Sequence, residues 1–382
     1  MGAPRPERIL IRGVNWLGDA VMTTPALQRL RAARPTAHLT LLTHEKLRDL
    51  WAGQPVVDAV MTFQGKESAW QVGRRLRREG FDRGLILPNS PRSALEMWFA
   101  GIPRRTGYGG GWRNWLLTQR VLRRQEALAM HKRSDREITR LVKENKPPPA
   151  PPPAAAHHTY QYLHLVAALG ASAEPLPPAL RVTPADRERF LSRQQLPGPP
   201  GPGERWIGLN AGAAYGPAKC WPAERFAAAA IEVQRRTRCR WLVFGIPQPG
   251  DPSAQIAAAV QREAEANFGP APAGTAPWVV NLVGASTLGE LCAGLNLCQV
   301  LLTNDSGPMH VAAAVGTPVV VPFGSTSPEL TGPGLPGDPR HHCLRSPTPC
   351  APCFRRSCPV DFRCMTGISV ARVVEAVLQA AG

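Results

Sequence analysis

The sequence predicts an α/β protein with two parallel sheets, and three observations lead there. Short apolar strands alternate with amphipathic helices along the whole chain, the alternation restarts after a Pro/Gly-rich break near the middle, and 382 residues exceed one core of ordinary size. Repeated βα units put parallel neighbours in a sheet whose two faces are both covered by helices.

Arg8–Arg12 reads as the first strand, Val14–Asp19 as a turn, and Ala20–Ala33 as a helix with Val21, Leu27 and Leu30 on one face, ended before Pro35. His38–Thr43, Asp58–Phe63 and Arg83–Pro88 continue as strands, with helices at Glu45–Ala52 and Ser68–Glu79. After Lys146 the run PPPAPPPAAA cannot be helix or central strand, and reads as a solvated polyproline insertion over about 146–158. PGPPGPGE, ending at Glu204, marks a domain boundary. Beyond it come strand Trp206–Asn210, helix Glu224–Thr237, strand Arg240–Phe244, helix Ser253–Asn267, strand Val279–Leu282 and helix Leu288–Leu297. Gln299–Thr303 and Thr317–Phe323 are buried strands around a turn at Asn304–Pro308 and a small-residue helix His310–Val315. The domains expected are 1–195 and 205–367, with a C-terminal helix in 368–382 free to cross back to the first domain. Open α/β sheets bind ligands beyond the carboxyl ends of their strands, so two such domains are expected to share a cleft there.

The net charge of +17 is uneven: 27 Lys and Arg stand against 14 Asp and Glu up to Leu180, and 18 against 14 beyond it. The densest parts are Arg74, Arg75, Arg77 and Arg78 on one helix, then Arg104, Arg105, Arg113, Arg120, Arg123 and Arg124. Such a field attracts anionic membrane, polyphosphorylated substrate or nucleic acid. RNA is disfavoured because the basic stretches lack any recognisable RNA-binding signature, such as aromatic stacking platforms on adjacent strands. No run approaches the roughly 20 apolar residues of a membrane span, and Met1–Arg8 has no apolar segment of a secretory signal, so a cytoplasmic protein is expected.

Three turns carry candidate chemistry. Arg12–Asp19 follows the first strand but lacks the G-x-G-x-x-G pattern of nicotinamide-cofactor sites. It delivers one carboxylate, Asp19, to a helix start, where the ionised form that accepts a proton is favoured. In NAGAAYGPAKCWP, starting at Asn210, small residues admit close phosphate approach and Lys219 offers a compact cation for a departing diphosphate. In TNDSGPMH the corner Ser306–Gly307 suits phosphate oxygens and Asp305 suits sugar hydroxyls; helix capping by Asp305 and Ser306 is the plainer alternative.

In these turns, and in order, the chain resembles glycosyltransferase family 9, the heptosyltransferases of the lipopolysaccharide inner core. ILIRGVNWLGDAVMTTPALQRLRAARP, LPNSPRSAL, AGIPRRTGYGGGWRNWLLT, AYGPAKCWP and TNDSGPMHVAAAVGTPVVVPFGSTSPELTGP carry the resemblance over nearly the whole length. LPNS with AGIPRRTGY, and PCFRRSCPVDFRCMTGIS, look most like the members that add the second heptose. The resemblance implies a GT-B architecture of two Rossmann-like domains. It implies an ADP-heptose donor held mainly by the second domain and a heptosylated Kdo-lipid A acceptor against the first, at the cytoplasmic face of the inner membrane. Carried over by position, Asp19 matches the general base and Lys219 the diphosphate contact. Gly18, Gly212, Tyr215, Asp305, Ser306, Gly307 and His310 match donor-binding positions, and Asn89 and Arg92 acceptor-binding ones. The resemblance also implies an inverting displacement without a cofactor or a metal. Another family 9 enzyme with a different sugar or acceptor is the nearest alternative, and a basic nucleic-acid-binding protein a more distant one.

Five cysteines, Cys343, Cys350, Cys353, Cys358 and Cys364, cluster near the end with a single C-x2-C pair. That is half of a zinc signature, and free buried thiols are the expectation.

Overall fold

The computed structural model describes residues 5–382; Met1–Pro4, part of the stretch read for a secretory signal, lie outside it. No helix among the described residues is long and apolar enough to cross a membrane. The chain forms two compact units, the first of residues 1–127 and 155–181, the second of 128–154 and 182–382.

In the first unit six strands pair in the order β3-β2-β1-β4-β5-β6. They are β1 Arg8–Arg12, β2 His38–His44, β3 Ala59–Phe63, β4 Arg83–Ile86, β5 Arg104–Tyr108 and β6 Gln119–Val121, and every pairing is parallel. In the second unit β7 Trp206–Asn210, β8 Arg240–Val243, β9 Val279–Asn281, β10 Val300–Thr303, β11 Val319–Phe323 and β12 His342–Arg345 pair as β12-β11-β10-β7-β8-β9, again all parallel. Both orders reverse direction beside the first strand of the unit, between β1 and β4 and between β7 and β10. At such a switch point the loops leaving two adjacent strands diverge to opposite faces and open a crevice.

The helix expected over Ala20–Ala33 is two helices, Leu17–Met22 and Thr24–Ala33. Pro25 cannot continue the ladder, and the hydroxyls of Thr23 and Thr24 bond back to the Ala20 and Val21 carbonyls at 2.6 and 2.8 Å. Between Pro88 and Lys146, where the sequence reading names no element, the structure has helix Pro91–Phe99, β5, β6 and helix Asp135–Glu144.

The segment 128–154 belongs to the second unit although it is flanked by the first. Its helix Asp135–Glu144 buries Ile138 against Cys350 and Cys353, and Arg355 reaches Asp135 at 2.6 Å. The prolines that follow are largely exposed, as a solvated run would be, yet Pro148–Pro152 also flank a cavity of about 420 Å³ with Phe323, Thr326 and Arg345. Helix Pro184–Arg193 likewise lies on the second unit, with Phe190 fully buried against Gly294. The C-terminal helix Val370–Ala381 lies wholly in the second unit rather than crossing back, its Val373, Val374 and Val377 sunk in the core beside β10 and β11.

Candidate active site

At the switch point of the second sheet, Asn304 follows β10 and is fully buried. Its side-chain carbonyl accepts the Trp221 N–H at 2.9 Å and its amide donates to the Ala211 carbonyl at 2.6 Å. One amide thus pins both ends of the loop after β7 to the turn after β10. A further bond from the Trp221 indole to the Ile368 carbonyl, 3.1 Å, anchors the loop below.

Held this way, the loop brings Lys219 to Asp305. The ammonium lies 2.7 Å from Asp305 Oδ2, with both side chains largely shielded from water, at 14% and 4% exposure. The same oxygen accepts the Thr326 hydroxyl at 2.5 Å, from the turn after β11. Lys219 also stands 4.9 Å from the Tyr215 ring centroid, and Arg356 approaches that ring at 5.4 Å. The Tyr215 hydroxyl donates to the Phe354 carbonyl at 2.8 Å. Gly216 sits at φ +144°, where a Cβ would come within 2.6 Å of the Arg356 carbonyl, and that same carbonyl accepts the Ala218 N–H at 2.9 Å. Burial, with the charges of Asp305 and Glu329 nearby, pushes the Cys343 thiol up to about 12, so it stays a neutral thiol beside the site.

The helix Gly307–Ala314 starts at Ser306, whose side chain makes no capping bond and instead lies 3.4 Å from the Thr303 hydroxyl. Asp305 is bonded to Lys219 and Thr326, so the capping alternative does not describe either residue. His310 is buried one turn into this helix. Gly212 has a structural reason to be glycine: a Cβ there would come within 2.4 Å of Asp251 Oδ2, whose carboxylate accepts the Ile246 and Ser253 N–H groups at 3.0 Å each.

At the switch point of the first sheet, Asp19 is half-buried in the helix Leu17–Met22, with Gly18 before it. The Tyr162 phenol is pushed well up, first by burial and then by the charge of Asp19. Beneath this turn lies a carboxylate–guanidinium arrangement. Glu96, with no exposed surface, takes Arg12 Nε at 2.6 Å on one oxygen and Arg92 Nε at 3.0 Å on the other. The Arg12 guanidinium, lowered chiefly by its burial, lies 4.2 Å from the Phe63 ring and bonds Asn15 Oδ1 at 3.2 Å and the Gly13 carbonyl. It therefore holds the turn that carries Asp19. Arg92 also reaches the Glu67 carbonyl at 2.5 Å, which ties down a residue expected on the acceptor side. Asn89 is exposed just beyond β4. The loop before it is braced by buried Arg113, which donates to the Pro88 and Tyr108 carbonyls at 2.9 and 2.8 Å and whose guanidinium burial lowers to about 10.

Asn304, Thr326 and Glu96 were not singled out from the sequence, and Arg113 stood out only as part of the basic field of the first half. Only Thr326, in GSTSP directly after a buried strand, carried a signal of the loop-after-strand kind. All nine cysteines are free thiols; Cys350, Cys353, Cys358 and Cys364 line one small cavity with Ile138 and Ser325.

Two doubly wound sheets, each with a polar loop cluster at its switch point, are the architecture shared by glycosyltransferases of the GT-B type. The chain belongs to glycosyltransferase family 9 (heptosyltransferase), whose family model matches residues 69–362. It is 30% identical over 339 residues to lipopolysaccharide heptosyltransferase 2 of Escherichia coli K12, covering 85% of each chain. It is 28% identical over 338 residues to lipooligosaccharide heptosyltransferase 2 of Haemophilus influenzae, again 85% of each. The solved structure of E. coli ADP-heptose lipopolysaccharide heptosyltransferase II matches with a TM-score of 0.73 at 27% identity over 98% of both chains.

Proposed function

We propose that this enzyme transfers L-glycero-D-manno-heptose from ADP-heptose to a heptosylated Kdo-lipid A inner core, with inversion, at the cytoplasmic face of the inner membrane. The observation that carries the reading is the shielded Lys219–Asp305–Thr326 cluster, which sets a cation at the switch point of a nucleotide-binding sheet. The relatives named heptosyltransferase 2 support the choice of sugar and position.

In the reaction the acceptor hydroxyl oxygen attacks the anomeric carbon of the donor while the bond from that carbon to the ADP oxygen breaks. The Asp19 carboxylate takes the hydroxyl proton, and ADP leaves with the bonding electrons. Its added negative charge meets Lys219 and the backbone N–H groups around Ser306 and Gly307. Asp305 keeps the ammonium of Lys219 in place and offers its second oxygen to sugar hydroxyls. Tyr215 packs beside Lys219 on the donor side, with His310 behind the turn. A single base is sufficient because the nucleophile is the acceptor itself.

The test is to incubate the enzyme with ADP-heptose and Kdo-lipid A acceptors carrying no heptose or one, and to weigh the lipid products. A gain of one heptose on the monoheptosylated acceptor is expected. Transfer to the heptose-free acceptor alone would replace this reading with first-heptose addition, and transfer to neither with a different family 9 reaction.

A further inference from the structure

Three elements cover one face of the first sheet: the helices Ala69–Arg77 and Pro91–Phe99 and the short 3-10 segment Gly111–Leu116. Val72 and Leu76 from the first, Ala94 and Met97 from the second and Leu116 from the third sink into one core. The two helices close up at Gly73, where a Cβ would come within 2.4 Å of Phe99 Cβ. Elements that share an inner core present their outer sides as one surface.

That outer surface carries four tryptophans. Trp70 is 52% exposed, Trp98 48%, Trp112 56% and Trp115 84%. Single exposed apolar side chains are ordinary, but four indoles on one layer are a large apolar area to leave in water. Exposed Arg74, Arg77 and Arg78 lie on or just after the first of these helices and exposed Arg104 follows the second, with the Arg74 guanidinium 5.4 Å from the Trp70 ring. The acids of the layer are already engaged: Glu67 with Arg75 at 2.8 Å, Glu79 with Arg8 at 3.3 Å, and Glu96 buried with Arg12 and Arg92. The outward field is therefore positive, and its large exposed apolar side chains are the four indoles. Indoles favour the headgroup region of a bilayer, where the ring meets acyl chains and the N–H meets water, and arginines favour lipid phosphates.

We propose that this face docks on an anionic bilayer, with Trp70, Trp98, Trp112 and Trp115 seated among the headgroups and Arg74, Arg77 and Arg78 on the phosphates. The proposal gives residues and a partner to the membrane location in the reading above, and rests on that reading for its biological sense. A protein partner with an acidic surface is the competing occupant, and the test separates the two.

The full-length protein is mixed with vesicles of phosphatidylcholine and phosphatidylglycerol at three to one, and with pure phosphatidylcholine, at low and physiological salt. Binding is read by co-sedimentation, and indole depth by quenching with lipids brominated along the acyl chain. Binding to the anionic vesicles with quenching by the shallow bromines is expected. Trp112→Ser with Trp115→Ser should weaken binding at least tenfold and reduce the quenching. Arg74→Gln, Arg77→Gln and Arg78→Gln together should weaken it on the order of a hundredfold at low salt and flatten the salt dependence. Thermal melts of these surface variants should match the parent. Parental binding by both variants, or binding without any indole quenching, overturns the proposal in favour of a protein partner for this face. Heptosyl transfer to a detergent-dispersed acceptor, measured alongside, keeps the two readings apart: lost transfer with retained docking sinks only the reaction, and the reverse sinks only the docking face.

Discussion

Lys219 Nζ lies 2.7 Å from Asp305 Oδ2, and that oxygen also receives the Thr326 hydroxyl, so three loops from three strands converge on one carboxylate oxygen. A shielded lysine bonded to one buried carboxylate is held in position by it. Both of these contacts fall on the same Asp305 oxygen, Oδ2.

Replacing Lys219 with Ala should raise the donor KM and lower kcat together, because the cation meets the diphosphate in the ground state and its added charge in the transition state. Steady-state kinetics at varied ADP-heptose would read both. A change confined to the acceptor KM would remove Lys219 from the donor side.

Asp305→Ala is expected chiefly to raise the donor KM. It should also cost about 3–5 kcal/mol of stability, since it strips a shielded ammonium of its partner. Urea unfolding gives the stability and kinetics the KM; ADP should recover part of the loss by binding only the folded state. An unchanged unfolding midpoint would mean that Lys219 swings readily to water.

Asp19→Asn should leave ADP affinity nearly intact and reduce turnover by about 10²–10⁴, the usual loss with a general base. Calorimetric ADP binding beside single-turnover rates separates the two effects. Retention of more than half the parental rate would exclude Asp19 as the base.

Glu96→Gln should be costly, with Glu96 itself fully buried. Arg12 would remain buried without a carboxylate, for a loss on the order of 3–5 kcal/mol. Differential scanning calorimetry should show the fall in melting temperature, and the loosened Arg12–Gly13–Asn15 contacts should lower kcat with little change in donor KM. A variant as stable as the parent would show that Arg12 finds water or another acceptor.

If Lys219 neutralises the leaving group as proposed, activity should persist after EDTA treatment and dialysis. A loss restored by added Mg²⁺ would transfer that role to a metal ion.

Most strands and the three chemistry-bearing turns were legible because periodicity and small-residue corners are local signals. Asp305 and Lys219 were both legible as types, whereas their ion pair was not, because it depends on Asn304 clamping a loop from another strand. Glu96 looked like an ordinary acid on an amphipathic helix, and only the folded sheet places Arg12 and Arg92 on either side of it. A Pro/Gly-rich stretch such as the one after Leu196 marks flexibility of chain, not allegiance of the preceding helix, and Phe190 packs that helix into the second unit. The two-helix break at Thr23 escaped the reading because Pro25 was overlooked inside an otherwise unbroken apolar pattern.

The unit assignment makes the chain pass from one unit to the other three times, after residues 127, 154 and 181. Neither unit is thus a transplantable module. A chimera joined to a relative at the Pro/Gly-rich stretch near residue 200 would pair a foreign second sheet with this chain's own Ile138 helix and Phe190 helix. Those helices would then face surfaces they did not evolve with. Exchange of donor specificity between family members should succeed only when residues 128–154 and 182–204 travel with the second sheet, so the natural unit of recombination in this enzyme is discontinuous.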